Sequence, residues 1–205
     1  SLPAWRRKPT PECVAHFTFP RSSLEWKLAL TEEGSVFLFR KPTPQAIDHF
    51  RGSQSTLEFT YSAIGATRAD PPNGYVVDHT RGKIGTGKTA FLRAGEALRH
   101  WKQLDLGWIS SSPPLAPIEV GQTVSVLARV CGLWSLNACR IVYVTQQENP
   151  WPCFGYAYGT LPDHAESGEE RFLVEWTPVD DVVYYDILAF SRPQSALTRL
   201  GFPLA

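Results

Sequence analysis

The chain has 205 residues and a formal net charge of zero, from 20 lysines and arginines against 20 aspartates and glutamates, a balance that leaves no electrostatic footprint for nucleic acid or an anionic membrane. Hydrophobic residues make up 43% and charged residues 20%, enough apolar side chain to exclude wholesale disorder, and the length fits one domain with an appended arm. No apolar run approaches the roughly 20 residues a bilayer span needs, and the polar, Pro-rich opening from Ser1 to Glu12 is not a signal peptide.

Residues 1–34 read as a Pro-spotted arm whose Phe17, Phe19, Trp26 and Leu28 pack on the main body. The chain contains no methionine, so its numbering is expected to begin after a trimmed or disordered start. The patterned part, residues 35–205, opens with a strand at Ser35–Arg40. Thr43-Pro44 then supplies an N-cap followed by proline at the first helical position, which predicts a short helix through Phe50. Phe59–Thr67 reads as extended, and Tyr75–Ile84 as a strand closed by Gly85-Thr86-Gly87. The clearest helix is Thr89–Leu104, where Phe91, Ala94, Leu98 and Trp101 recur on one face, away from Arg93, Glu96, Arg99 and Lys102. Pro113, Pro114 and Pro117 interrupt the chain. Strands follow at Val124–Val130, Arg140–Thr145, Phe154–Leu161, Arg171–Trp176 and Val182–Phe190, each rich in β-branched and aromatic residues. No helix fits between them, so they pair antiparallel as a meander. A further helix is predicted from Ser195 to Leu200.

Gly82-Lys83-Ile84-Gly85-Thr86-Gly87-Lys88-Thr89 matches the P-loop pattern, and Val182–Asp186 imitates the apolar run and aspartate that place the magnesium ion in such proteins. Nucleotide sites of that kind need parallel strands with helices between them. An antiparallel series cannot provide them, so the segment reads better as a glycine turn leading into a helix. Nucleotide binding at 82–89 stands as the weaker reading.

The four cysteines, Cys13, Cys131, Cys139 and Cys153, form no C-x-x-C pair and have no histidines at zinc-site spacing. They are expected to be reduced thiols in a cytoplasmic protein, with no metal or other cofactor. Cys139 stands beside Arg140, a single charge that argues only weakly for an activated thiol. No serine has a nucleophile-elbow context.

Several stretches carry a resemblance: Tyr61-Ser-Ala-Ile-Gly-Ala-Thr67, Gly85-x-Gly87, Asn137–Tyr143, Phe154–Phe172 and Ile187–Pro193. From about Phe37 to the end, the chain resembles the family of unknown function DUF1990. The resemblance implies no reaction. It implies that the turn before the helix needs only Gly85 and Gly87, which leaves Lys88 and Thr89 incidental. It also implies that Pro203-Leu204 is followed in relatives by a basic helix.

Convergent chemistry is densest at Pro162–Arg171, read as a polar loop between two strands. Asp163, His164, Glu166 and Glu169 there are candidates for a polar head group or a metal, though ligand spacing is absent. His164 with Glu166 or Glu169 is the candidate acid–base pair of a hydrolase, lyase or cyclase. The competing reading is a structural hairpin with Gly168 at positive φ. Arg140, mid-strand, demands a partner, and Glu169 or Glu170 are the expected carboxylates. Asp186 shares a face with Tyr184 and Leu188, as a structural pair or a pocket-lining group.

The order strand, long helix, antiparallel meander, terminal helix predicts an α+β helix-grip fold like that of the lipid-transfer and pollen-allergen (START/Bet v 1-like) superfamily. The hot-dog fold, with its thioester chemistry, is the runner-up. The expected activity is binding of a small apolar or amphipathic molecule between sheet and helix. Trp101, Trp134, Tyr143, Tyr156, Tyr158 and Phe190 are the lining candidates, with Arg140 or His164 orienting a polar end. The sequence leaves the oligomeric state open.

Overall fold

A computed structural model describes residues 36–130 and 132–194. In chain order these form β1 (Val36–Leu38), α1 (Pro44–Gln54), β2 (Val76–Thr86), α2 (Gly87–Arg99), β3 (Ile109–Ser112), β4 (Thr123–Val130), β5 (Leu133–Gln147), β6 (Cys153–Thr160), β7 (Glu166–Thr177) and β8 (Val182–Pro193). All eight strands belong to one sheet ordered β2-β8-β7-β6-β5-β4-β3, with β1 added to β5, and every pairing is antiparallel. The expected arm at 1–34 and helix at 195–200 lie outside the described residues.

Local chemistry accounts for the helix ends. Thr43 Oγ1 accepts from the Ala46 N–H at 3.2 Å and Pro44 opens α1, as the N-cap and first-turn preferences require. The helix runs past the expected Phe50 to Gln54. At α2, Gly87 takes φ +79 and donates its N–H to the Asp181 carbonyl at 3.1 Å, while a Cβ on Gly85 would stand 2.9 Å from that of Ala90. Both glycines of the turn thus have a steric reason. The segment resembling a P-loop is not a loop: Gly82, Lys83, Gly85 and Thr86 pair with Tyr185, Tyr184, Val183 and Val182 of β8. With no parallel strand among the described residues, the nucleotide reading loses its scaffold.

The long helix stops earlier than its periodicity suggests. Trp101 leaves it at φ 55, and Lys102–Leu104 form a 3-10 turn. That departure buries the Trp101 indole, 1% exposed, and lets its Nε1 donate to the Ala116 carbonyl at 2.8 Å.

Side chains on a strand alternate between faces. The inward face packs on α2 through Phe154, Tyr156 and Tyr158 of β6, Phe172, Val174 and Trp176 of β7, and Val183, Tyr185 and Ile187 of β8. A β-bulge between Ile141 and Tyr143 turns Ile141 inward and Tyr143 outward, one residue earlier than strict alternation allows. On the outward side, α1 covers β4 and β5 through Ile47 and Phe50 against Leu127, Trp134 and Leu136. No helix among the described residues is long and apolar enough to cross a membrane.

Candidate functional site

On the outward face, residues 60–68 cross the sheet and are clasped by Glu169. Its Oε2 accepts from the Tyr61 phenol and the Gly65 N–H, both at 2.7 Å. Its Oε1 accepts from the Thr67 N–H at 3.1 Å and from the Thr67 hydroxyl. That hydroxyl also lies 2.8 Å from the Tyr143 phenol. Tyr61 settles over Gly159, where any Cβ would collide with the phenol, and meets Phe190 edge-on at 5.5 Å. Burial, then the Glu169 charge, pushes the Tyr61 phenol far above its ordinary range, so it remains a donor. These residues come from four of the stretches that carry the family resemblance, Tyr61–Thr67, Asn137–Tyr143, Phe154–Phe172 and Ile187–Pro193, and the clasp gives that coincidence a physical cause.

Beside the clasp lies a charged lattice. Arg171 donates to the Thr67 carbonyl at 2.7 Å and to Asp186 at 2.6 Å. Asp186 also meets Arg81 at 3.1 Å and His79 at 3.0 Å, and Arg81 reaches Glu175. Burial would raise the Asp186 carboxyl, but bonds from His79, Arg171 and Arg81 outweigh it and hold the group below its usual range. The expectation that Asp186 forms a structural pair is thereby met.

The inward face carries different polar groups. Residues 166 to 170, read from sequence as a loop, are the first turnless stretch of β7, so Glu166 and Glu170 point inward with Phe172 while Glu169 points outward. Glu170 is 4% exposed and accepts from the Tyr158 phenol at 2.8 Å. Burial raises the Glu166 carboxyl against a bond from Ser191. The Cys139 thiol, 0% exposed, is pushed up by burial and then by the Glu170 and Glu166 charges, so it is an inert thiol rather than the activated one Arg140 hinted at. Tyr156 receives a bond from Gln103, and its ring stands 5.1 Å from Trp101 and 5.5 Å from Phe172, with Tyr158 5.3 Å from Phe172.

The lining candidates therefore divide. Trp101, Tyr156 and Tyr158 belong to the inward core, whereas Trp134, Arg140, Tyr143 and Phe190 belong to the outward side. The expected pair of Arg140 with Glu169 or Glu170 does not form. Arg140 Nη2 instead donates to the carbonyls of Gln54, Ser55 and Leu57 at 3.1, 2.8 and 2.8 Å, closing the C-terminus of α1, where a cation complements the helix dipole. The outward parity of Arg140, opposite Thr123, is what removes it from Glu170.

His164 is tied to its own turn. Its Nδ1 lies 2.9 Å from the Glu166 N and 3.0 Å from the Glu166 O, and burial lowers its pKa to about 4. Glu169 is committed to the clasp, and Asp163 accepts from Gln54 at 2.7 Å. The cluster legible in the sequence is thus dispersed over both faces of β7, and Gly168 has no positive φ there. Its glycine is needed for space, because a Cβ would strike the Phe190 carbonyl of β8. Among the described residues, no three His, Cys, Asp or Glu side chains converge as metal ligands. Sequence reasoning missed the role of Tyr61 and Thr67; the only signal was their place in a stretch shared with relatives.

Comparison with known proteins gives a family without an assigned activity. The model of the family described as a domain of unknown function, DUF1990, matches residues 60–205. The chain belongs to this family. A UPF0548 protein of Dictyostelium discoideum is 43% identical over 136 residues, which are 62% of this chain and 63% of the relative. A UPF0548 protein of Arabidopsis thaliana is 31% identical over 134 residues, 64% of each chain. The chain thus spans slightly under two thirds of the length of these relatives. A crystal structure of a hypothetical protein from Helicobacter pylori aligns with TM-score 0.39 and 10% identity over 70% of this chain and 82% of that one, a likeness too slight to carry an argument.

Proposed function

We propose that this DUF1990 member binds a small apolar or amphipathic molecule between α2 and the inward face of the sheet, within a helix-grip domain that residues 35–205 build and the arm at 1–34 adjoins. What carries the reading is the character of that face. It is an aromatic wall of Trp101, Tyr156, Tyr158 and Phe172 into which a buried carboxylate, Glu170, and two phenol hydroxyls project. Apolar sites with a few placed polar groups are the usual form of a small-molecule site, and a buried titratable group on such a face is where one is first sought. The strand order supports the helix-grip reading over the hot-dog alternative. The strand that leads into α2 lies beside the last strand, and the others follow in sequence. The free thiols Cys139 and Cys153 are in keeping with a cytoplasmic protein.

Native mass spectrometry of protein purified from cells without denaturant tests this. The expected result is a bound mass of a few hundred daltons, on the scale of a molecule filling a pocket of this kind, that is released on unfolding. A protein that carries nothing, with a crystal structure whose interior space is below about 100 Å³, ends the proposal.

A further inference from the structure

We propose that the end of the sheet where β1, β3, β4 and β5 meet docks on an anionic phospholipid surface. This goes beyond the reading of the inward face and does not depend on it. Trp134 of β5 is paired with Leu38 at the end of β1 on one side and with Arg129 near the end of β4 on the other. Trp108, leading into β3, accepts at its carbonyl from the Arg129 N–H at 2.7 Å. The last β5–β6 pair is Cys139 with Thr160. At about 3.3 Å per residue, Trp134 stands about 17 Å beyond it, so this end projects past β6. It carries Arg40, Lys41 and Arg129. The Lys41 ammonium and the Arg129 guanidinium lie 5.4 and 5.8 Å from the centre of the Trp134 ring, which gathers them about one indole. Among the described residues of 38–43, 105–109 and 129–134 the acid is Asp105, and the Lys102 ammonium lies 3.0 Å from it. These segments therefore leave a local excess of positive charge. Beside it, Leu106 and Val130 are 42% and 38% exposed. Cations around exposed aliphatic side chains suit the boundary of an anionic bilayer, where apolar area enters the acyl region and each lysine or arginine meets the negative headgroup layer. A nucleic acid would attract the cations but leave the aliphatic groups in water. The net charge of zero conceals the patch, because Arg40 and Lys41 reach it from one segment and Arg129 from another.

Co-sedimentation of the full chain with phosphatidylcholine vesicles, with and without about 30% phosphatidylserine, tests this at physiological ionic strength. Binding is expected to be at least about tenfold tighter with phosphatidylserine present, each cation near the surface contributing about fivefold. Arg40→Gln with Lys41→Gln should lower it by about tenfold or more, and Leu106→Ser with Val130→Ser should lower it severalfold. Lys83→Gln with Lys88→Gln removes two exposed cations at the opposite edge of the sheet, and should change binding by less than about twofold. Equal binding to both vesicle types, or binding to neither, overturns the proposal. So does an equal loss in the Lys83 and Lys88 variant, which would report attraction by the whole chain rather than by this end. Binding to a single-stranded oligonucleotide but not to the vesicles assigns the patch to nucleic acid and overturns it too. Circular dichroism checks the fold of each variant. Where a double variant is unfolded, Arg40→Gln alone takes its place, with an expected loss of about fivefold, and an unchanged affinity there overturns the proposal.

Discussion

The two faces of one sheet surround their buried carboxylates with different groups. Outward, Glu169 receives two backbone N–H groups, a phenol and a hydroxyl, and Asp186 is enclosed by Arg171, Arg81 and His79. Inward, Glu170, its neighbour on the same strand, sits among aromatic rings beside the Tyr158 phenol. A shift of one residue along β7 therefore separates a group that fastens the chain to itself from one placed toward the interior. Saturated, rigid polar contacts of the kind around Glu169 indicate fold maintenance.

The largest effect expected from breaking the comparison is at Glu169. Glu169→Ala strands the Gly65 and Thr67 N–H groups and two hydroxyls in a buried site, and about 3–5 kcal/mol should be lost in urea unfolding. A loss below about 1 kcal/mol would show that the clasp is not what holds residues 60–68. Next comes Gly159→Ala, which forces the Tyr61 ring off the sheet at a cost of roughly 1–3 kcal/mol. Combining it with Tyr61→Ala should cost less than the sum of the two, and simple additivity would contradict the packing described.

Acid sharpens the comparison at the end of β7. The folded His164 has its pKa lowered to about 4, so below the ordinary histidine range the unfolded chain binds a proton that the folded one refuses. Stability is therefore full above about pH 6.5 and falls from there toward pH 4, by at most about 3 kcal/mol. Glu166, whose folded pKa is raised, works the other way as it protonates and offsets part of the loss. His164→Gln should flatten the pH 4 to 6.5 limb of a stability-versus-pH curve; an unchanged limb assigns it to other groups. Smaller still, Arg140→Ala should cost about 1–3 kcal/mol. Arg140→Lys should restore much of that, since the acceptors are three carbonyls around one nitrogen rather than a carboxylate fork. If lysine restores nothing, the planar guanidinium is needed there, as it would be for its stacking near Phe59 at 5.4 Å.

Much of this architecture was legible. Thr43-Pro44 announced α1, the Phe91-Ala94-Leu98 stripe announced α2, and the β-branched runs from Val124 onward announced an antiparallel series. What escaped had low local propensity. Ile109–Ser112 is too short and serine-rich to stand out as a strand. Glu166–Glu170 reads as a turn because glutamate, serine and glycine disfavour strands, although pairing with β8 over twelve positions overrides that preference. Because that stretch was taken as a loop, the side to which each glutamate points could not be assigned, and three candidates were grouped that the fold separates. Trp101 shows the reverse case: its spacing suited the helix, and tertiary burial pulled it out.

The bulge in β5 sets where this chain tolerates a change of length. Val142 is the residue left over between the pairs Ile141–Tyr158 and Tyr143–Ala157. A relative lacking that one residue keeps Ile141 with the core and Tyr143 over Thr67, on a straighter strand. A relative that keeps the bulge but lacks Arg140 has the segment before the gap turned inside out, Leu136 facing α2 and Cys139 the outward side. Single-residue gaps among family members in this strand should therefore collect at position 142, and their absence elsewhere would record a constraint on parity that substitution patterns cannot reveal.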